Sequence, residues 1–165
     1  MLPALDTARL LIRERTLDDL ESCLEMDRDP VAHRQFVQFR IVRQYPPGLG
    51  HWSIRELTDP ERFIGWVLLI PGHGSGPDVE IGWRLVRSAW GRGIAIEAAR
   101  ALMKHAFETV RLPRVIADIA AESQAPLHVA QKLGMQWVGY DTSDGMRYER
   151  YRLVRDDLRG LGKRL

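Results

Sequence analysis

Hydrophobic and polar positions along the chain divide it into short alternating runs and two longer amphipathic ones. Arg9-Leu10-Leu11-Ile12-Arg13 is a short β-prone run. After it, Thr16 and Asp19 form a variant of the capping box, and Leu17, Leu20 and Leu24 give the expected helix one apolar face. Residues 28–50 are broken by Pro30, Pro46, Pro47, Gly48 and Gly50 around an aromatic and basic mixture including His33, Phe36, Phe39, Arg40 and Tyr45, so one short helix and a loop are expected. His51 to Arg55 alternates as a strand, Thr58 to Glu61 reads as a turn, and Phe63 to Ile70 as a strand buried enough to lose alternation. Residues 71–78, with His73 between glycines, form a hairpin connection to a strand at Val79 to Val86. In the next run Ile94, Ala98, Leu102 and Ala106 share one helical face, while Glu97, Arg100, Lys104 and Glu108 lie on another. Val115 to Ile119 is a buried strand, and a helix from about Ser123 to Leu133 is stopped by Gly134. Gln136 to Tyr140 and Arg147 to Val154 are two closing strands joined at Ser143-Asp144-Gly145. The order β-α-α-β-β-β-α-β-α-β-β predicts one α/β (α+β) domain over residues 1–165, with a mixed central sheet flanked by helices.

Composition narrows the class. A chain of 165 residues with 45% hydrophobic and 28% charged residues is that of an ordinary globular domain with a real core. The 24 basic and 22 acidic residues leave a net charge of +2, which gives no general drive toward nucleic acid or an anionic membrane. The basic excess from Arg150 to Arg164 reads as a solvated edge and tail. Cys23 is the only cysteine, so no intramolecular disulfide can form, and its neighbours Leu20, Leu24 and Met26 favour a small buried hydrophobe. No secretory leader pattern and no long apolar segment is found, so a cytoplasmic setting is expected. The histidines have no metal-ligand spacing, and no metal is predicted. Trp52, Trp66, Trp83, Trp90 and Trp137 read as core and sheet packing, with Trp52 or Trp66 able to wall a pocket.

Candidate chemistry centres on Trp90-Gly91-Arg92-Gly93-Ile94-Ala95, a glycine-rich turn between a strand and a helix. Gly91 and Gly93 let the backbone come close to a ligand, and the free N–H groups opening the helix favour an anion such as phosphate. Arg92 either meets a phosphate oxygen or faces solvent.

Three stretches carry a family resemblance. The series Glu80-Ile81-Gly82-Trp83-Arg84-Leu85, the turn Trp90-Gly91-Arg92-Gly93-Ile94-Ala95 with Glu97-Ala98, and Lys132-Leu133-Gly134-Met135 together resemble the acetyl-CoA motifs of the GNAT family of N-acetyltransferases, in particular the branch of ribosomal-protein N-terminal acetyltransferases. The resemblance implies a mostly antiparallel mixed sheet and acetyl-CoA as cosubstrate. It implies pantetheine beside Trp83, Leu85 and Val86, and pyrophosphate over the turn from Trp90 to Ala95. It also points to Glu80 as the general base, acting through water if burial raises its pKa; a solvated strand-start carboxylate is the plainer alternative. Gly82 within a strand suggests a bulge or a close approach by a ligand.

One motif departs from the family. Where relatives carry N-x-x-S before the second helix, this chain has Ser123-Gln124-Ala125-Pro126. Ser123 can cap the helix or bond pantetheine, but Pro126 has no hydroxyl to protonate a thiolate, and Ala130 stands where some relatives have tyrosine. The general acid is left among Tyr140, Tyr148, Tyr151 and solvent, since a thiolate whose thiol titrates near ~8.5 leaves tolerably unaided. The implied activity is acetyl transfer to a primary amine by direct attack. The acceptor is a protein N-terminal α-amine, alternatively a small amine such as an aminoglycoside; a non-catalytic acyl-CoA-binding module is the rival of another class. No nucleic-acid or membrane partner is expected, and the protein would be a monomer or homodimer.

Overall fold

Burial on both faces, rather than amphipathic alternation, shapes the middle strands. The computed structural model describes residues 1–27, 34–72, 77–121, 124–143 and 145–160. Strands β1 (Leu10–Glu14), β2 (Gly50–Glu56), β3 (Asp59–Pro71), β4 (Val79–Leu85), β5 (Arg114–Ala120), β6 (Gln136–Ser143) and β7 (Met146–Val154) form one sheet in the order β1-β2-β3-β4-β5-β7-β6. Every neighbouring pair is antiparallel except β4 and β5. His51 to Ser53 are buried on successive positions, against the expected alternation, because helices cover both faces. The turn after β2 is confined to Leu57 and Thr58, so β3 begins earlier than its apolar run, at Asp59.

The helices are α1 (Leu20–Asp27), α2 (Arg34–Val42), α3 (Ile94–Lys104), α4 (Gln124–Lys132) and a short α5 (Arg155–Gly160) in the stretch read from sequence as a tail. A single 3-10 turn at Leu17–Asp19 precedes α1. There the predicted box forms, with the Thr16 N–H donating to Asp19 Oδ2 at 3.0 Å. Ile94, Ala98, Leu102 and Ala106 are all buried, as their spacing requires, against Ile12, Ile54, Val67 and Ile81 of the sheet. Each large side chain so buried contributes roughly 1.5–3 kcal/mol. Past Lys104 the helix loosens into one π turn, His105–Thr109. His105 is buried there and its Nε2 lies 2.9 Å from the Gly48 carbonyl. The opposite face is a smaller cluster of Cys23, Leu24, Val37 and Phe63, with Trp66 packed on it.

Three tryptophans follow the expectation of packing and two do not. Trp52 is wholly buried with its Nε1–H donating to the Pro3 carbonyl at 2.8 Å, so it walls no pocket; Trp66 and Trp83 are half-buried. Trp90 and Trp137 are exposed, at 57% and 51%. Gly134 has φ 78° and ends α4 as its sequence suggested, with the Met135 N–H reaching the Ala130 carbonyl at 3.1 Å.

Candidate functional site

The sheet opens where β4 leaves β5. β5 is paired to β7 along its length, from Arg114 to Ala120, but to β4 only at Glu80 and Ile116. On its other edge β4 follows β3 without interruption, from Val79 opposite Pro71 to Leu85 opposite Gly65. The Val86 N–H donates to the Ile64 carbonyl at 2.9 Å, so in this register the even residues of β4 direct their backbone groups to β3. Ile81, Trp83 and Leu85 therefore turn theirs toward the gap. The Leu85 carbonyl is taken by the Trp90 indole N–H at 3.0 Å, leaving the backbone of Trp83 facing open space.

Glycine at two positions of β3 and β4 is explained by neighbours. A Cβ on Gly65 would lie 2.2 Å from the Arg84 carbonyl oxygen, and one on Gly82 would lie 3.1 Å from Leu68. Gly82 keeps regular register with Leu68, so the strand has no bulge there; the close approach is the Leu68 side chain.

Beyond β4 a 3-10 turn at Arg87–Ala89 reverses the chain, anchored by the buried Ala89. Gly91 and Gly93 follow with φ of 72° and 74°, a left-handed backbone that other residues adopt at a cost. Among the described residues, and apart from the chain neighbours, no atom lies within 4 Å of where a Gly91 Cβ would be, and only Arg9 Nη2, at 3.7 Å, approaches that of Gly93. Gly93 is the N-cap of α3, so the N–H groups of the first turn open into this free space.

Arg92 does not aim at the cradle. It is ion-paired to Glu56 at the end of β2, which holds the Glu56 carboxyl below its usual range and raises Arg92. The turn is braced by residues that periodicity alone did not single out. Both Arg9 Nη atoms donate to the Arg92 carbonyl at 3.1 Å, and Arg9 Nε donates to Glu97 at 2.7 Å. Thr7 Oγ1 adds a bond to Glu97 at 2.5 Å. Burial pushes the Glu97 carboxyl up, but the bonds from Thr7 and Arg9 outweigh it and hold it lower. Glu97, on the polar face of α3, is thus a brace of the turn.

Cradle and gap are one cleft of about 1270 Å³. Trp83 to Arg87, Trp90, Gly91, Gly93 to Ile96, and Pro126 with His128 from α4 line it. Glu25, Asp27 and Glu61 lie at its α1 and β3 side, where Asp27 is ion-paired with Arg84. The Trp83 Nε1–H is buried with no hydrogen-bond partner among the described residues, a donor directed at nothing in the protein. Arg87 is exposed at the cradle's edge. Of the other candidates, Trp83, Leu85, Val86, Trp90, Gly91, Gly93, Ile94 and Ala95 come together, while Glu80 stands at the vertex where β4 and β5 part, outside the lining of the cleft. Ser123 lies outside the described residues. Tyr140, Tyr148 and Tyr151 belong to β6 and β7 and do not line the cleft, whereas His128 does. Among the described residues no cluster of histidine, cysteine and carboxylates could hold a metal ion.

The arrangement agrees with the comparisons. The sequence profile of the Acetyltransferase (GNAT) domain matches residues 9–136. An uncharacterized protein of Bacillus subtilis, YkkB, is 29% identical over 111 residues. The FsC-acetyl coenzyme A-N(2)-transacetylase of Aspergillus fumigatus is 28% identical over 158 residues. The matches cover 67% and 82% of this chain but only 64% and 66% of those proteins. An acetyltransferase of Agrobacterium tumefaciens superposes with a TM-score of 0.73 at 25% identity, over 93% of this chain and 95% of its own. RimL, a ribosomal L7/L12 α-N-protein acetyltransferase solved with coenzyme A, has the same fold, with a TM-score of 0.73 at 16% identity, over 92% of this chain and 98% of its own.

Proposed function

The chain belongs to the GNAT acetyltransferase family, and from that premise we propose that it transfers the acetyl group of acetyl-CoA to a primary amine, with both substrates held in the cleft between β4 and β5. One observation carries the reading: an open left-handed glycine cradle at the N-terminus of α3 continues into a gap lined by an unpaired strand edge. The cradle suits a pyrophosphate and the strand edge an amide-bearing arm. Gly91, Gly93 and the N–H groups of Ile94 and Ala95 would hold the phosphates, with Arg87 adding charge. The backbone of Trp83 would pair with the pantetheine amides or the thioester oxygen, and the orphaned Trp83 indole supplies a second donor. When bound, acetyl-CoA supplies an acetyl thioester.

The amine nitrogen attacks the carbonyl carbon, the new C–N bond forms, the nitrogen that is now positive sheds its second proton to water, and the C–S bond breaks. Glu80, at the vertex, takes the proton that the ammonium must lose, directly or through one water. Pro126 cannot return a proton to sulfur. His128, two residues further along α4 and lining the same cleft, takes that role in this reading. A cationic acceptor is favoured by Glu25 and Glu61 at the α1 side of the cleft. The RimL likeness leans toward a protein α-amine, and small amines share the same electrostatic requirement.

The test is CoA release from acetyl-CoA against peptides with varied N-termini, aminoglycosides and polyamines, with cosubstrate binding followed by calorimetry. Gly93→Val should fill the cradle and weaken acetyl-CoA binding tenfold to a hundredfold, about 1.4–2.8 kcal/mol. Unchanged affinity in a folded variant would refute the cradle. Glu80→Gln should lower turnover at neutral pH with affinity intact; a variant as active as the parent removes Glu80 as base.

A further inference from the structure

A second cavity, of about 540 Å³, lies outside the acetyl-CoA cleft, between the end of β1, the C-terminal end of α2 and the start of β2. Arg15, Arg40, Arg43, Tyr45 and His51 line it, with Glu14 as an exposed acidic neighbour. Arg15 is only 7% exposed and its Nε–H has no hydrogen-bond partner among the described residues. His51 is 5% exposed and its Nδ1 has none. The Tyr45 hydroxyl is likewise buried and unpartnered. Among the described residues no carboxylate forms an ion pair with Arg15, Arg40 or Arg43. Arg40 and Arg43 lie over the rings of Phe36 and Tyr45, at 5.4 and 5.3 Å, and those contacts neutralise nothing.

A buried guanidinium without a counter-charge costs several kcal/mol, and buried polar atoms are ordinarily satisfied. Here three unsatisfied groups and three cations converge on one space. Two of the three groups are obligate or ready donors, and His51, kept neutral in this surrounding, donates from Nδ1 in one of its tautomers. What is missing is a compact acceptor carrying negative charge.

We propose that this cavity binds a small oxyanion, the phosphate or carboxylate group of a small molecule, at a site separate from the acetyl-CoA cleft. The guanidinium groups of Arg15 and Arg40 provide the charge, and Tyr45 and His51 fix the orientation.

Calorimetry on the full chain, at constant ionic strength and with CoA saturating its own cleft, would use inorganic phosphate and succinate as probes. The expected result is 1:1 binding of at least one probe with a dissociation constant below about 1 mM. Arg40→Gln, a half-buried helix-end change that leaves the core intact, should weaken it at least tenfold, and Arg15→Gln more. Binding by phosphate but not succinate identifies a phosphate ligand; the converse identifies a carboxylate. The proposal is overturned if neither probe binds at about 10 mM, if binding disappears when CoA is present, or if folded Arg40→Gln and Arg15→Gln bind as tightly as the parent.

Discussion

His51 should make the protein lose stability on mild acidification, beginning near neutrality. Burial, and the positive charges of Arg15 and Arg40, push its imidazole from 6.5 down to about 2. In the unfolded chain it regains an ordinary value near 6.5. Below that pH the unfolded state holds a proton that the folded state refuses, so stability falls as pH drops, from about 6.5 toward about 2. Integrated from pH 7.5 to 5.0, one such group costs about 2 kcal/mol. The perturbation is His51→Phe, which keeps a flat ring against Tyr45 and Trp66, whose centroids lie 5.6 and 6.2 Å from that of His51. Urea unfolding followed by tryptophan fluorescence at pH 7.5, 6.5, 5.5 and 5.0, in buffer free of phosphate, gives both curves. The variant should lose about 2 kcal/mol less than the parent across that range. Parallel curves would mean that His51 titrates normally in the fold, and the reasoning about its burial beside two arginines would be wrong.

Asp19, 3% exposed, accepts from Ser53 Oγ at 2.8 Å and Arg55 Nη2 at 2.5 Å, so Asp19→Ala should cost about 2–4 kcal/mol in urea unfolding by leaving Arg55 uncompensated. Gly65→Ala places a methyl group against the Arg84 carbonyl, and a loss of about 2 kcal/mol or more is expected; a neutral result would show that β3 and β4 can separate there. His128→Gln should lower kcat at least tenfold with the KM for acetyl-CoA held; an unchanged kcat across the pH profile would assign the thiolate's proton to solvent.

Much of this architecture is legible in the residues because local and tertiary preferences agree. The face Ile94, Ala98, Leu102 and Ala106 is buried as its period requires, and Gly134 ends α4 through the positive φ that glycine tolerates. Burial of His51 and Ser53 on β2 could not be read from alternation, because it depends on α1 and α2 covering the second face. The pairing of Arg92, for which the sequence left phosphate and solvent open, was illegible for a related reason. Its partner Glu56 lies 36 positions away on β2, and a charge beside a glycine turn gives no sign of which neighbour it will meet. Arg9 and Glu97 brace the turn across 88 positions, again without a local signal. His128 carries no local signal of its place either, since the packing of α4 decides whether it meets the cleft.

The cleft follows from competition between sheet edges. β5 has two neighbours to choose from and commits its length to β7, touching β4 only at Glu80 and Ile116. β4 in turn is held to β3 along its whole length, closely enough that Gly65 admits no side chain opposite Arg84. Neither edge is free to close the gap, and burying unpaired backbone groups there would cost about 1–3 kcal/mol each, so the gap stays open to solvent or ligand. The binding edge is therefore a property of the sheet and not of a mobile loop, and its floor should be rigid before any ligand arrives. The glycine turn, by contrast, owes its shape to the N-terminal strap of Thr7 and Arg9. Loosening that strap with Arg9→Ala should weaken acetyl-CoA binding severalfold while leaving the stability of the β3–β4 ladder almost unchanged, which amide hydrogen exchange would resolve; equal loss in both would make turn and sheet one cooperative unit.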